Sequence, residues 1–229
     1  VFFRINCGLK SEEKVQELER SANLGLIGAL IPVHLGEHKR YDSPEFERLW
    51  AASQDLQIPL GLHSATNRPG PLNEWSGANN TGLSAAFFTQ LDHWVRMSIG
   101  NMIFSGVFER FPKLQIGAVE FELSWVPYFL ERMDFNYNER SSRNEIYRFK
   151  EDMVPSDYFR RNIFLGFQED ALAIRLRDII GVDNLQWGSD YPHTESTFPR
   201  SREILEEILV DCTEEERAKI AGGNAARVY

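Results

Sequence analysis

Three residues in this chain combine the right chemistry with the right kind of position: His63, Glu120 and Asp190 each stand at the end of a short apolar run. An imidazole and two carboxylates are donors suited to a divalent cation, and also suited to moving protons. His193 follows Asp190 by three residues and could orient its carboxylate or touch substrate. Each residue has a plainer reading beside the chemical one. A histidine at a strand end is often a hydrogen-bonded structural residue, and an aspartate before Tyr-Pro can satisfy local backbone N–H groups. Glu120 and Glu122 flank Phe121, so in strand alternation they share a face, where one could bind an arginine such as Arg132.

The surrounding residues add candidates of lower specificity. Asn67-Arg68-Pro69-Gly70 lies in a Gly/Asn/Pro-rich segment from Ser64 to Gly82, and loops of that length are more often functional than decorative. We count Asn67 and Arg68 as substrate-binding candidates, with Arg68 able to clamp a carboxylate, against the alternative of a solvated loop arginine. Trp125, at the start of a helix, lines or closes the pocket, although core packing explains it as well. His34 and His38 read as loop residues near the same mouth, and His93 as an ordinary helix histidine.

The elements that must position these groups alternate in type. Strands are expected at Val1–Ile5, Leu26–Pro32, Ile58–His63, Lys113–Glu120, Asn162–Phe167 and Asp183–Trp187. A helix capped by Ser11 stops at Gly25, and a second starts at Ser43 with Pro44 in its first turn and runs to Leu56. Helical spacing continues from Leu83 to Phe111 as two helices, from Ser124 to Phe149, and from Asp170 to Ile180, ended by Gly181. Phe198–Leu209 and a last helix opened by the capping box Thr213-Glu214-Glu215-Glu216 close the chain. After the sixth strand, Gly188 is expected to turn the backbone and Pro192 to stop the pairing.

Strands alternating with helices indicate an α/β protein with a parallel sheet, doubly wound or a barrel. The placement of His63, Glu120 and Asp190 at C-terminal strand ends favours a (β/α)8 TIM barrel, whose site is assembled at that face. Six strands of the required eight are legible, and the abrupt start at Val1 suggests that the first two lie outside this chain. One domain spanning residues 1–229 is expected, since 42% hydrophobic residues suffice for one sizeable core. A formal charge of −9 without any Lys/Arg-rich run argues against nucleic acid. No segment reaches the roughly 18 apolar residues of a membrane span, and Val1-Phe2-Phe3-Arg4 lacks the shape of a signal peptide. Cys7 and Cys212 make no disulfide framework, so a cytoplasmic protein acting on a small molecule is expected.

Five segments carry a resemblance: Pro59-Leu60-Gly61-Leu62-His63; Gly106 to Leu114; Trp125-Val126-Pro127 with Leu130 to Asp134; Trp187 to His193; and Gly223-Asn224-Ala225-Ala226-Arg227. In their order and spacing the chain resembles the amidohydrolase-related ("amidohydrolase 2") family of metal-dependent barrel enzymes. That group includes aminocarboxymuconate semialdehyde decarboxylase and related aromatic-acid decarboxylases. The resemblance implies a divalent metal at the barrel mouth, held by a His-x-His pair on the first strand, a histidine on the fifth and an aspartate on the eighth. His63 matches the third ligand and Asp190 the fourth, and Asp190 would also take a proton from metal-bound water. Two departures stand out. The chain contains no His-x-His, and Glu120 occupies the sixth-strand position where the decarboxylases carry a catalytic histidine.

These readings give a metal-dependent hydrolase or non-oxidative decarboxylase acting on a small carboxylated substrate, with aromatic acids among the candidates. Zn is the foremost metal, with Mn or Fe as alternatives, and His63, Asp190 and Glu120 are the ligands in this chain. Asp190, Glu120 and His193 are the catalytic candidates, and a homodimer is implied by the resemblance. An oxygenase on the same fold and a catalytically inactive barrel subunit are the competing readings.

Overall fold

The computed structural model describes residues 2–8, 10–36, 39–64, 66, 85–140 and 148–229. Its framework is six parallel strands: β1 Phe2–Arg4, β2 Gly28–Pro32, β3 Leu60–His63, β4 Ile116–Val119, β5 Ile163–Phe167 and β6 Leu185–Trp187. They lie side by side in sequence order, and every pairing is parallel. Such an arrangement, with helical crossovers between neighbouring strands, is six consecutive strands of a (β/α)8 barrel. Among the described residues β1 and β6 do not pair, so the sheet is open between them.

The helices are α1 Ser11–Asn23, α2 Glu47–Leu56, α3 Ala85–Phe88, α4 Asp92–Phe104, α5 Val107–Arg110, α6 Val126–Glu139, α7 Pro155–Asn162, α8 Ala171–Arg175, α9 Arg177–Ile180, α10 Ser201–Ile208, α11 Glu214–Ala218 and α12 Asn224–Val228. No helix is long and apolar enough to cross a membrane among the described residues. The two faces of the sheet differ. Ala29, Ile31, Leu60, Leu62, Ile116, Ala118, Ile163, Leu165 and Leu185 are buried in the continuous core. The alternate positions, which share one register layer across the strands, are Pro32, His63, Val119, Gly166 and Gln186. This second face is the barrel lumen, and it is kept open by small residues. A Cβ on Gly117 would lie 2.4 Å from the Phe164 ring, so only glycine lets that aromatic cross beneath the cleft.

Several expectations need correction at the level of local structure. Ser11 lies inside α1, and its hydroxyl donates to the Glu45 carbonyl at 2.5 Å instead of capping. The 83–111 region makes three helices, because Gly106 at φ 72° breaks the run before α5. The 170–180 region makes two short helices, and α6 ends at Glu139. α7 was not anticipated, although Pro155 in its first turn and Asp157, which accepts from the Val154 N–H at 3.0 Å, are ordinary start signals. Thr213 does form its capping box: the Glu216 N–H donates to its hydroxyl, and its own N–H donates to the Glu216 carboxylate at 2.7 Å.

Candidate metal centre at the barrel mouth

His63 closes β3, Glu120 follows β4 directly, and Asp190 stands three residues beyond β6, so the three side chains come from three strand ends on one rim. Glu120 and Asp190 are held in left-handed backbone conformations, at φ 67° and 57°, and so is Glu122 at φ 50°. For residues with a Cβ this conformation costs about 1–2 kcal/mol each, and such strain collects at functional sites. The turn after β6 therefore depends on Asp190 itself. Gly188 is not left-handed, and its N–H continues the pairing by donating to the Phe167 carbonyl at 3.0 Å.

The side chains converge as follows. His63 Nε2 lies 3.0 Å from Glu120 Oε2. That oxygen is sealed from solvent and accepts no hydrogen bond of good geometry, even with the imidazole beside it. Two donors on one ion at ~2.1 Å each would stand about 3.0–3.4 Å apart, so the pair has the spacing of ligands as much as of an ion pair. One donor atom each from Glu120, Asp190 and His193 falls within a 4.8 Å cluster. His193 Nδ1 donates to both Asp190 oxygens, at 2.9 and 3.0 Å. This bond, with the nearby carboxylate charge, raises the His193 pKa above the ordinary imidazole value. The loop is folded back on itself, since the Thr197 N–H and the Ser196 hydroxyl both donate to the Ser189 carbonyl.

A buried aspartate with no distinguishing sequence signal beyond a helix cap holds the Glu120–Ser124 turn. Asp170 accepts from the Leu123 N–H (2.9 Å), the Ser124 N–H (2.7 Å), the Ser124 hydroxyl (2.6 Å) and, as cap of α8, the Ala173 N–H (2.9 Å). Glu122 does not pair with Arg132, whose guanidinium lies over the Phe135 ring. Burial pushes the Glu122 carboxyl upward, although the Gln168 and Glu169 N–H groups donate to it at 3.4 Å.

A cleft of about 840 Å³ opens over this rim. Phe88, Phe121, Trp125, Phe167, Trp187 and Tyr229 give it flat apolar walls, while Asp92, Glu120, Glu122, Asp190 and Glu195 bring five carboxylates to its lining. No Lys or Arg lines it among the described residues. Trp125 both lines the cleft and packs into the core against Phe129 and Phe159, its indole N–H donating to the Glu122 carbonyl at 3.0 Å. Asn67, Arg68 and His38 lie outside the described residues. His34 meets Trp94 at a tilt, its ring centroid 4.5 Å away, and accepts from the Gly36 N–H, and burial lowers its pKa. His93 meets the same indole edge-on in α4, as expected of a helix histidine. A shallower hollow between β1 and α1, lined by Arg4, Asn6, Glu13, Gln16, Glu17 and Arg20, is remote from this chemistry.

Partial-barrel topology with imidazole and carboxylate donors at the C-terminal rim defines a metal-site barrel of the amidohydrolase type. The chain belongs to the amidohydrolase family, whose sequence profile matches residues 2–229. It is 26% identical to a gamma-resorcylate decarboxylase of a Polaromonas species, over 95% of this chain and 66% of that protein. The crystal structure of 5-carboxyvanillate decarboxylase from Sphingomonas paucimobilis superposes with a TM-score of 0.79 at 26% identity, covering 96% of this chain and 63% of that one. A dihydroxybenzoic acid decarboxylase structure from Polaromonas gives 0.71 at 24%, over 96% and 65%. The chain thus spans slightly less than two thirds of the length of these relatives.

Proposed function

We propose that this chain carries the metal-binding mouth of a non-oxidative decarboxylase for a small carboxylated aromatic compound. The observation that carries the reading is the convergence of donor atoms of Glu120, Asp190 and His193 within 4.8 Å, with His63 Nε2 3.0 Å from Glu120 and with Glu120 and Asp190 both held in left-handed backbone conformations. The donor set fits a divalent cation, and the buried, unbonded Oε2 of Glu120 supplies a lone pair for it. His63, Glu120 and Asp190 would hold the ion, with His193 either orienting Asp190 or adding a ligand. The dihydroxybenzoic acid decarboxylase relative was crystallised with manganese, which makes Mn²⁺ the first metal to test ahead of Zn²⁺. When bound, the ion would supply positive charge beside the five carboxylates and polarise the oxygens it meets.

The chain's own residues then divide the work. Trp125, Trp187 and Tyr229 offer flat surfaces to an aromatic ring and keep water from it. Loss of a carboxyl group leaves a ring carbon that must receive a proton, and His193, whose Nδ1–H donates to Asp190, would deliver one from Nε2 in its protonated form and then be left neutral. Arg68, where the sequence expects a carboxylate clamp, is the remaining candidate for fixing the substrate.

A second reading, hydrolysis of an uncharged amide or ester, is favoured by the five carboxylates of the cleft, which oppose an anionic substrate. The deciding assay loads the protein with Mn²⁺ and follows CO2 release from 2,6-dihydroxybenzoate and 5-carboxyvanillate. Turnover that vanishes in Asp190→Asn supports decarboxylation. Metal binding with no CO2 release, but with hydrolysis of neutral esters, supports the second reading.

A further inference from the structure

Gln186 is the one lumen-facing amide of β6, and its environment is unlike that of the other buried amides. It is 7% exposed, lines the cleft, and its Nε2 is sealed from solvent with no hydrogen-bond partner. The buried asparagines Asn162, Asn184 and Asn224 each donate twice, to pairs of backbone carbonyls. Leaving a buried N–H unbonded is unfavourable, and folded proteins seldom do so without a ligand or water to complete it. The side chain borders the cleft while Nε2 itself lies just beneath that surface, so a ligand reaches it through a turn of the side chain. The register partner of Gln186 on β5 is Gly166, and His63 belongs to the same layer across the strands. Asp190, by contrast, stands four residues further along, on the rim.

We propose that Gln186 is a specificity-determining residue, its Nε2 reserved for an oxygen acceptor on the part of the substrate that enters the barrel, away from Asp190. The inference rests on the aromatic-carboxylate reading above. A carboxylate held at the rim would direct the far side of the ring, and a hydroxyl carried there, toward the Gln186 layer. The amide then discriminates hydroxylated rings from bare ones, because a substrate without the oxygen leaves the donor unbonded.

Titration calorimetry of the Mn²⁺-loaded chain with 2,6-dihydroxybenzoate, 4-hydroxybenzoate and benzoate tests this, using wild type, Gln186→Met and Gln186→Glu. Wild type should bind at least one hydroxybenzoate about tenfold more tightly than benzoate. Gln186→Met should erase that preference while leaving benzoate affinity unchanged, and its Tm should equal or exceed that of wild type, since it removes an unbonded amide. Gln186→Glu, which keeps the shape but offers no amide donor, should weaken all three. An undiminished hydroxyl preference in Gln186→Met, or a lowered Tm showing that the amide serves the fold, overturns the proposal and leaves the decarboxylase reading standing. If none of the benzoates binds wild type, the decarboxylase reading fails and takes this inference with it.

Discussion

The two rims of the sheet handle polar groups in opposite ways. At the N-terminal rim, Asn162 donates to Pro112 and Leu114, Asn184 to Arg160 and Ile163, and Asn224 to Val182 and Leu185, so every amide N–H is spent on holding the start of β4, β5 or β6. At the C-terminal rim, Glu120 and Asp190 are strained, and the buried Glu120 Oε2 and Gln186 Nε2 lack hydrogen bonds. One rim is complete by itself, and the other is arranged for something to complete it. This is the division of labour expected of a barrel, with stability at the bottom and chemistry at the top.

The comparison breaks most visibly under substitutions that remove the N-terminal staples. Asn162→Ala, at a fully buried position, should cost about 2–4 kcal/mol in urea unfolding, because two carbonyls lose their donor at once. Asp170→Ala should cost a comparable ~2–4 kcal/mol and also loosen the Glu120–Ser124 turn, so metal affinity falls with stability. The upper rim should respond in the other direction. Glu120→Gly relieves a left-handed φ and should leave stability unchanged or raise it by about 1 kcal/mol, while metal binding is lost. A large destabilisation there would show that the upper rim is structural too.

Smaller effects sharpen the contrast. The Glu216 carboxyl, which caps α11 and pairs with Arg177 at 2.8 Å, is held down to about 2 by that guanidinium. A carboxylate with a depressed pKa adds stability that is fully present above its unfolded value near 4.3 and is lost as pH falls toward 2. Glu216→Gln should therefore cost about 1 kcal/mol or less at pH 7, with the difference closing in acid. At the mouth, the metal-free His193 imidazole should titrate above an ordinary histidine in NMR, since Asp190 stabilises its protonated form. Asp190→Asn should bring that midpoint back down.

Much of this was legible in the sequence, for identifiable reasons. Short apolar runs separated by helical stretches locate all six strands, and the polar residues ending them point to the rim. His63, Glu120 and Asp190 stand out in the sequence because chemistry and position coincide, and the structure sets all three at or just beyond strand ends. Asp170 escaped notice because its partners at 123 and 124 are distant in sequence, and a helix cap was reason enough for an aspartate there. Gln186 escaped because a single glutamine inside an apolar strand gives no periodic signal. Only its saturated counterparts make its unbonded N–H informative. Gly188 is the residue the sequence expects to turn the backbone, whereas the left-handed conformation in that loop falls on Asp190.

Direct measurement of Mn²⁺ binding to the purified chain, by calorimetry with elemental analysis of stoichiometry, tests the central claim that the upper rim is a metal site. One ion per chain is expected, with affinity lost or weakened at least tenfold in both Glu120→Gln and Asp190→Asn while unfolding stability is retained. Absence of stoichiometric metal in wild type, or an unchanged affinity in both variants, would contradict it.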